Sequence, residues 1–330
     1  MKKILILTTG GTIAGEETPH GLIPSLDSEQ LLSFVPEVGD NIHLDTIDVC
    51  NLDSTDMTYK EWLDIAGVIR KNYVEYDGFV VAHGTDTMAY TAAALSYLIQ
   101  NSPKPIVLTG AQKPIGSEIT DAKSNLRDSI IYAADDNSSD VVVVFDGAVI
   151  AGTRARKNKT HSFSAFSSIN YPEPARIIDG RIIRYIPGRT PGKPVFYDDL
   201  NPKVFLMKLT PGQRPGVLRD IIDTHDAVII ESFGVGGLPS SLADEFARIM
   251  KEYNSNEKVV IMTTQVAYEG SDIGVYEVGQ RISRQIPILE ARDMTTEAVL
   301  TKIMWIMKQD LSFEEIKRLF YSEINHDTIY

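Results

Sequence analysis

Short apolar runs recur along the chain, and each ends in a small or polar residue, usually close to a glycine. Runs of this length, bounded by turn residues, are typical of inner strands that are buried on both faces of a parallel sheet. We therefore predict strands at Ile4–Leu7, Phe79–Ala82, Ile106–Leu108, Val141–Phe145, Ala227–Ile230 and Val259–Met262.

Segments with helical spacing of apolar residues lie between these runs, and most have a recognisable start. Thr58 and Glu61 can form a capping box before a helix. Further predicted helix starts are Asp86 before residues 87–99, Asp121 before a helix through Ala134, Pro239 before residues 240–252, and Thr295 or Thr296 before a last helix to Met307. This alternation of strand and helix predicts a doubly wound, mainly parallel α/β fold.

The alternation is interrupted by a stretch rich in proline and glycine after Pro187. Such a stretch cannot sustain a helix or an inner strand. We predict a larger N-terminal α/β domain over residues 1–187, a linker over 188–203 and a smaller C-terminal α/β domain over 204–330. The segment 176–185, with Asp179 and Gly180 between apolar pairs, predicts a hairpin that closes the first domain.

Composition and charge narrow the class of protein. The 330 residues carry a net charge of −13, which disfavours nucleic acid and anionic membranes as partners. The single cysteine, Cys50, excludes an intrachain disulfide and is predicted to be a small core residue. No stretch approaches the roughly 20 apolar residues of a membrane helix. The N-terminal apolar run is too short for a signal peptide, so we expect a cytoplasmic protein.

Two threonines each follow an apolar run and are bracketed by glycine: Thr12 within residues 9–15, and Thr85 within residues 83–87. The carboxyl ends of parallel strands open into the crevice where ligands bind. This pattern indicates hydroxyl chemistry, with nucleophilic attack on a carbonyl as the leading candidate. A nucleotide site is disfavoured, because neither a P-loop nor a GxGxxG fingerprint follows the first strand. The six histidines are scattered and indicate no metal site.

These two motifs closely resemble the signatures of the bacterial-type L-asparaginase and glutaminase family. Further stretches agree in order and approximate spacing: residues 51–57, 108–112, 121–126 and 154–157. In the C-terminal part, residues 234–239 and Thr264-Gln265, followed by Tyr276 and Gly279, resemble the cytoplasmic, type I branch. The resemblance covers nearly the whole chain, so it implies an amidohydrolase of this family.

The resemblance implies that Thr12 is the nucleophile, forming an acyl-enzyme with release of ammonia. A threonine hydroxyl is a poor nucleophile at neutral pH and requires a base or a relay. From the residues alone, Thr12 could equally be a helix N-cap.

Thr85, Asp86 and Lys157 match the second catalytic cluster of the family. A neutral Lys157 could take a proton, whereas a charged Lys157 paired with Asp86 would fix Thr85 and stabilise developing negative charge. The sequence leaves both alternatives open. The resemblance assigns Thr85 to positioning the water that hydrolyses the acyl-enzyme.

An amino-acid substrate brings an ammonium and a carboxylate to the site. The resemblance implies that Asp86 binds the ammonium and that Ser54 and Thr55, with nearby backbone N–H groups, bind the carboxylate. The other substrate-binding positions that it implies are backbone groups: the N–H groups of Gly11 and Thr85 as an oxyanion hole, Gly84, and the carbonyl of Ala111, which holds the leaving amide.

We predict a lid at residues 16–24, because glycine and prolines flank a polar segment whose apolar residues lack helical spacing. Many family members have a tyrosine here within reach of the nucleophile, but the aligned residue is Leu22, which cannot transfer a proton. Either the cluster around Lys157 serves both half-reactions, or a tyrosine such as Tyr276 enters from the C-terminal domain of the same or a neighbouring subunit. We favour the second alternative.

The leading hypothesis is an asparaginase that needs no metal or organic cofactor and assembles as a homodimer or homotetramer. A preference for L-glutamine, or activity on both amides, is a close alternative, because the substrates differ by one methylene. Another alternative is the amidotransferase subunit that supplies ammonia during transfer-RNA charging; it would be expected to carry an additional N-terminal domain. A non-catalytic amino-acid sensor is disfavoured, because Thr12, Thr85 and Lys157 are all retained.

Overall fold

The computed structural model describes residues 1–18, 21–24, 26–35, 38–39, 41–188, 192–214, 216–253 and 257–330. The chain forms two compact units, Met1–Asp198 and Asp199–Tyr330. The division falls inside the predicted linker 188–203, of which residues 189–191 lie outside the described residues. The limits of the predicted domains themselves stay a prediction.

The first unit contains helices and strands in alternation over most of its length. Its helices are α1 (Ser28–Ser33), α2 (Tyr59–Asn72), α3 (Met88–Leu98) and α4 (Ala122–Ala133). Its strands are β1 (Lys2–Gly10), β2 (Gly15–Thr18), β3 (Gly21–Pro24), β4 (Ile42–Leu52), β5 (Gly78–Ala82), β6 (Ile99–Gln100), β7 (Ile106–Thr109), β8 (Val141–Phe145), β9 (Ala148–Ala151), β10 (Ala155–Lys157), β11 (Phe166–Ser168), β12 (Ala175–Ile178), β13 (Arg181–Arg184) and β14 (Val195–Phe196).

Eight of these strands form one sheet in the order β4-β1-β5-β7-β8-β9-β12-β13. The first five are parallel, and the last three continue the sheet antiparallel. The strand β1 pairs with β4 on one side and with β5 on the other, so the winding of the chain reverses at β1. Ligands bind outside the carboxyl ends of the strands at such a switch point. The sheet therefore places a crevice where residues 11–12 and 83–86 leave β1 and β5.

All four strands predicted in this unit are present, and their apolar residues are buried on both faces of the sheet. No strand is predicted at β4, whose apolar residues are interrupted by polar ones along the edge of the sheet. Every residue of this edge strand is exposed or only partly buried, so β4 lacks the continuous apolar run that marks an inner strand. Cys50 lies on β4 and is half-buried, so its assignment to the core is wrong.

The predicted helix starts are correct in part, and the exceptions are informative. The capping box of Thr58 and Glu61 opens α2 as predicted. Asp86 does not cap α3: the N-cap residue is Thr87, and the Asp86 carboxylate pairs with Lys157 instead. Asp121 occupies the N-cap position of α4 but makes no capping bond, because its carboxylate binds another loop. Each carboxylate therefore binds a group from another segment in place of a capping N–H of its own helix.

The predicted hairpin is formed by β12 and β13 at the edge of the sheet. Its turn residues, Asp179 and Gly180, have φ values of 49° and 70°, which is the left-handed geometry of a tight hairpin turn. A second hairpin pairs β10 with β11 and carries Lys157.

The second unit is a smaller α/β unit with a parallel sheet in the order β15-β16-β17-β18. Its strands are β15 (Val204–Lys208), β16 (Ala227–Ser232), β17 (Val259–Thr264) and β18 (Ile288–Glu290), and its helices are α5 (Val217–Thr224), α6 (Ser240–Met250), α7 (Glu277–Gln285), α8 (Thr296–Ile306) and α9 (Phe313–Phe320). Pro239 and Thr295 are the N-cap residues of α6 and α8, as predicted. The two-domain α/β prediction is confirmed. Within the described ranges, no helix has both the length and the apolarity to cross a bilayer.

Candidate active site

The loops that follow β1 and β5 are in direct backbone contact. A Cβ placed on Gly11 would lie 2.4 Å from the Cα of Gly84, so only glycine permits this approach. On its other side, Gly84 faces Ser54, whose Oγ would be 2.6 Å from a Gly84 Cβ. Three segments that are distant in sequence therefore meet around these two glycines.

Thr12 is the first residue of a short 3₁₀ turn that follows β1, and it is half-buried. The N-cap of this turn is Gly11, at φ 75° and ψ −178°. Thr12 is thus not the N-cap of a helix, so the structural role that the sequence left open for it is wrong.

The backbone donors around Thr12 differ from the expected set. The N–H of Gly11 donates to the carbonyl of Leu52 at 3.0 Å, so it is not free to bind an oxyanion. No hydrogen bond within the described part of the chain occupies the N–H of Thr12 or that of Thr85. Gly11 instead contributes the close approach to Gly84.

Lys157 joins the second cluster across more than 70 residues of sequence. Its Nζ donates to Thr85 Oγ1 at 2.7 Å and to Asp86 Oδ1 at 2.6 Å. The Lys157 side chain is 17% exposed, whereas Asp86 is 58% exposed. Lys157 thereby joins Thr85 to Asp86, and only one of the two oxygens of Asp86 is needed for this pairing.

The hydroxyl of Thr85 is also fixed on its donor side. Thr85 Oγ1 donates to Gln112 Oε1 at 3.3 Å. The amide nitrogen of Gln112 donates to the carbonyls of Lys159 and Ser162, which orients the oxygen toward Thr85. Lys157 and Gln112 together leave one lone pair of the Thr85 hydroxyl unoccupied, since a hydroxyl has one proton and two lone pairs.

Ser54 and Thr55 lie in a second 3₁₀ turn, after β4. Ser54 is buried, and its carbonyl accepts from Thr87 Oγ1 at 2.7 Å, which ties this turn to the segment after β5. Both the N–H and the hydroxyl of Thr55 donate to Asp53 Oδ1 at 2.8 Å. Thr55 therefore presents only lone pairs, which suit an ammonium better than the carboxylate expected from the sequence.

His83 is fully buried at the end of β5. Its Nδ1 is 2.7 Å from the carbonyl of Gly84, and its Nε2 is 2.9 Å from Thr91 Oγ1. A carbonyl can only accept, so Nδ1 carries the proton. Burial lowers the pKa of His83 to about 4, so the ring is neutral near pH 7. The prediction of a hydrogen-bonded strand-end residue is confirmed.

The loop after β7 carries Ala111 and is held by the first turn of α4. The Asp121 carboxylate accepts from the N–H groups of Gln112 and Lys113. Asn125 Nδ2 donates to the carbonyl of Gly110 at 2.9 Å. Burial raises the pKa of Asp121, and the hydrogen bonds from Gln112, Lys113 and Asn125 oppose that rise.

For two predicted residues, the position relative to this cluster stays a prediction. The side chain of Leu22 lies outside the described residues, although the backbone of residues 21–24 forms β3, paired with β2. Tyr276 belongs to the second unit, where it precedes α7 and is 47% exposed. Its expected role stays a prediction.

Sequence reasoning missed the supporting residues of the site. Asp53, Thr87 and Gln112 bind backbone or side-chain groups of the predicted residues. Each lies within two residues of a predicted position, and that proximity is the signal that could have found them.

Comparisons with known proteins agree over the whole chain. The family described as "Asparaginase, N-terminal" matches residues 3–187, and "Glutaminase/Asparaginase C-terminal domain" matches residues 203–320. A protein named L-asparaginase from Thermococcus kodakarensis is 38% identical over 98% of this chain and 98% of its own length. The solved structure of a thermostable L-asparaginase from Thermococcus kodakarensis superposes with a TM-score of 0.92 at 36% identity, covering 99% of each chain. A glutamyl-tRNA(Gln) amidotransferase subunit from Metallosphaera sedula is 32% identical over 98% of this chain and 76% of its own length.

Proposed function

The chain belongs to the asparaginase family, and from that premise we propose that it hydrolyses L-asparagine to L-aspartate and ammonia through an acyl-enzyme on Thr12. The observation that carries this proposal is the contact between the Thr12 and Thr85 loops, with Lys157 bonded to both Thr85 and Asp86. A hydroxyl, a fixed cation and a fixed anion at one crevice are the groups that amide hydrolysis of an amino acid requires.

In the acylation step, Thr12 Oγ1 attacks the side-chain amide carbon of asparagine. The carbonyl oxygen then becomes an oxyanion, and we assign its donors as the N–H groups of Thr12 and Thr85. The C–N bond breaks, the nitrogen takes the proton lost by Thr12, and ammonia leaves beside the carbonyl of Ala111. Donors already in place at the developing charge stabilise it without reorganisation.

In the deacylation step, a water attacks the acyl-enzyme and regenerates Thr12. The free lone pair of Thr85 Oγ1 accepts a hydrogen bond from this water, because Lys157 and Gln112 occupy the rest of the hydroxyl. The fixed hydroxyl therefore holds the water in one orientation. The charge of Lys157 stabilises the negative charge that develops when the water attacks the acyl-enzyme.

We assign each substrate-binding group to the substrate charge that it can bind. The second carboxylate oxygen of Asp86 accepts from the substrate ammonium, and so does the hydroxyl of Thr55. The hydroxyl of Ser54 donates to the substrate carboxylate, with the backbone of Gly84 close beside it. Asp86 thereby holds both the catalytic lysine and the substrate in register.

The base that activates Thr12 stays open between the cluster around Lys157 and Tyr276, and we favour Tyr276. Replacing Tyr276 by phenylalanine removes only the phenolic oxygen. We expect kcat/KM for L-asparagine to fall more than tenfold in this variant. A smaller loss would count against Tyr276 and favour Lys157 as the group that serves both steps.

The decisive experiment measures ammonia release from L-asparagine and from L-glutamine by the unaltered protein and by Thr12→Ala. We expect turnover of L-asparagine by the unaltered protein and none above background by the variant. Binding of L-asparagine without turnover by the unaltered protein would overturn the proposal and leave an amino-acid sensor.

Activity on L-glutamine is the second candidate, because residues 203–320 match a family whose description names both enzymes. One methylene in a pocket is worth about 1–3 kcal/mol, so the same site can discriminate by only about 10- to 200-fold. The ratio of kcat/KM for the two amides measures this preference directly.

We also propose a cytoplasmic location and a homodimer or homotetramer. Support for self-association comes from the edge hairpin of β12 and β13, where Ile178, Ile183 and Tyr185 are 51%, 42% and 58% exposed. Apolar side chains on an edge strand favour pairing with another chain. Light scattering after size exclusion, and fractionation of the native cell, test the two statements.

A further inference from the structure

The peptide unit between Ala111 and Gln112 is bound from the side opposite to the one that would face the substrate. The N–H of Gln112 donates to both carboxylate oxygens of Asp121, with N···O distances of 3.0 and 2.9 Å. In a trans peptide the N–H and the C=O of one unit point in opposite directions. The carbonyl oxygen of Ala111 therefore points away from Asp121.

The neighbouring peptide groups are fixed by the same turn of α4. The N–H of Lys113 donates to Asp121 at 3.1 Å, and the carbonyl of Gly110 accepts from Asn125 at 2.9 Å. Asn125 also donates to Asp121 and accepts from the N–H of Asp146. Asp121 and Asn125 are 4% and 1% exposed, so water does not compete for these bonds. The loop at Ala111 is thus held at three consecutive peptide groups, those that join residues 110 to 113.

We propose that Asp121 is a positioning residue for amide hydrolysis: its carboxylate orients and polarises the Ala111–Gln112 peptide so that the Ala111 carbonyl accepts the N–H of the leaving amide. This inference rests on the proposed function and on the place of Ala111 in it. Asp121 touches neither the substrate nor the reacting atoms.

The physical reason lies in the change of charge at the leaving nitrogen. That nitrogen gains a proton as the C–N bond breaks, so its N–H groups become stronger donors in the transition state than in the ground state. An acceptor whose own N–H is bound by a charged carboxylate is a stronger acceptor, because hydrogen bonds in a chain polarise one another. The interaction therefore favours the transition state over the substrate and raises the rate.

A substrate without a leaving N–H separates this role from a merely structural one. The β-methyl ester of L-aspartate reacts at the same carbon but releases methanol, which offers no N–H to Ala111. The variant Asp121→Asn keeps the shape of the side chain and removes its charge. We measure kcat/KM for L-asparagine and for the ester with one preparation of each protein, so that the folded fraction cancels in the ratio.

We expect Asp121→Asn to lower kcat/KM for L-asparagine about tenfold and that for the ester by no more than about twofold. Equal losses on both substrates would overturn the proposal, because a displaced loop harms both reactions. Unchanged kinetics on both substrates would overturn it as well.

Asp128→Asn is the matched control, with the same substitution on the same helix. Among the described residues, no hydrogen bond joins Asp128 to the loop of Ala111. This control is expected to keep the amide-to-ester ratio of the unaltered protein. If the unaltered protein turns over the ester but not L-asparagine, the proposed function is wrong, whatever the role of Asp121. If the unaltered protein turns over both substrates, a change of the amide-to-ester ratio in the variant tests the role of Asp121 alone.

Discussion

Replacing Gly11 by alanine tests the contact on which the site is built. The new Cβ would lie 2.4 Å from Gly84 Cα and 2.5 Å from Gly84 N. Carbon atoms pack at about 3.5 Å, so the two loops must separate by about 1 Å. In addition, Gly11 has φ 75° and ψ −178°, a region nearly restricted to glycine that costs other residues about 1–3 kcal/mol.

A shift of about 1 Å between reacting groups can cost about 100-fold in rate. We therefore expect Gly11→Ala to lower kcat/KM for L-asparagine about 100-fold and to lower the free energy of unfolding by at least about 1–3 kcal/mol. Steady-state ammonia release measures the first quantity, and urea unfolding followed by circular dichroism measures the second.

Gly67→Ala is the control for the same chemical change elsewhere. Gly67 lies inside α2, and a Cβ there would meet no atom within 4 Å. Alanine in a helix interior is favoured by about 0.5–1 kcal/mol over glycine, so this variant should be fully active and slightly more stable. Activity of Gly11→Ala within about threefold of the unaltered protein, at equal stability, would refute the idea that the two loops are held in rigid contact.

Three further predictions concern charged groups. Lys157→Met should lower kcat about 100- to 1000-fold, because the donor to Thr85 is lost. The urea midpoint should change little, because Asp86, which loses its partner, is 58% exposed and stays solvated. A loss of kcat below about tenfold in steady-state assays would contradict this prediction. Burial raises the pKa of Asp128 to about 6, so the ionised form destabilises the fold as pH rises from about 4 through 6. The full shift is worth about 3 kcal/mol, which solvent screening of this half-buried group reduces to about 1 kcal/mol; Asp128→Asn should show this gain in urea unfolding at about pH 7.5 and none at about pH 3.5. Lys302 and Asp327 form a fully buried ion pair, so Lys302→Met should lower the free energy of unfolding by about 3–5 kcal/mol, because it leaves the Asp327 charge buried without the Lys302 charge. The double variant with Asp327→Leu should lose less, because it removes both charges. Equal losses in the two variants by urea unfolding would contradict this reasoning.

The failed predictions share one cause. Asp86 and Asp121 have the sequence of helix caps, yet their carboxylates bind Lys157 and the loop at Gln112. A local pattern cannot report that the partner of Asp86 lies 71 residues away along the chain. The assignment of Gly11 as an oxyanion donor is wrong for a similar reason, because its N–H is taken by Leu52 across the sheet.

The sequence by itself determined the inner strands and the helix starts that depend on neighbouring residues, such as Thr58 with Glu61 and Thr295. Both features are local: an inner strand is marked by a continuous apolar run, and a helix start by a capping bond between residues three apart. Both can therefore be recognised in the sequence. The tertiary structure alone decided which donors are occupied, how the Thr85 hydroxyl is oriented, and that β4 closes one edge of the sheet. Those outcomes depend on contacts between distant segments, and the free energy of such contacts exists only once the sheet has brought the segments together.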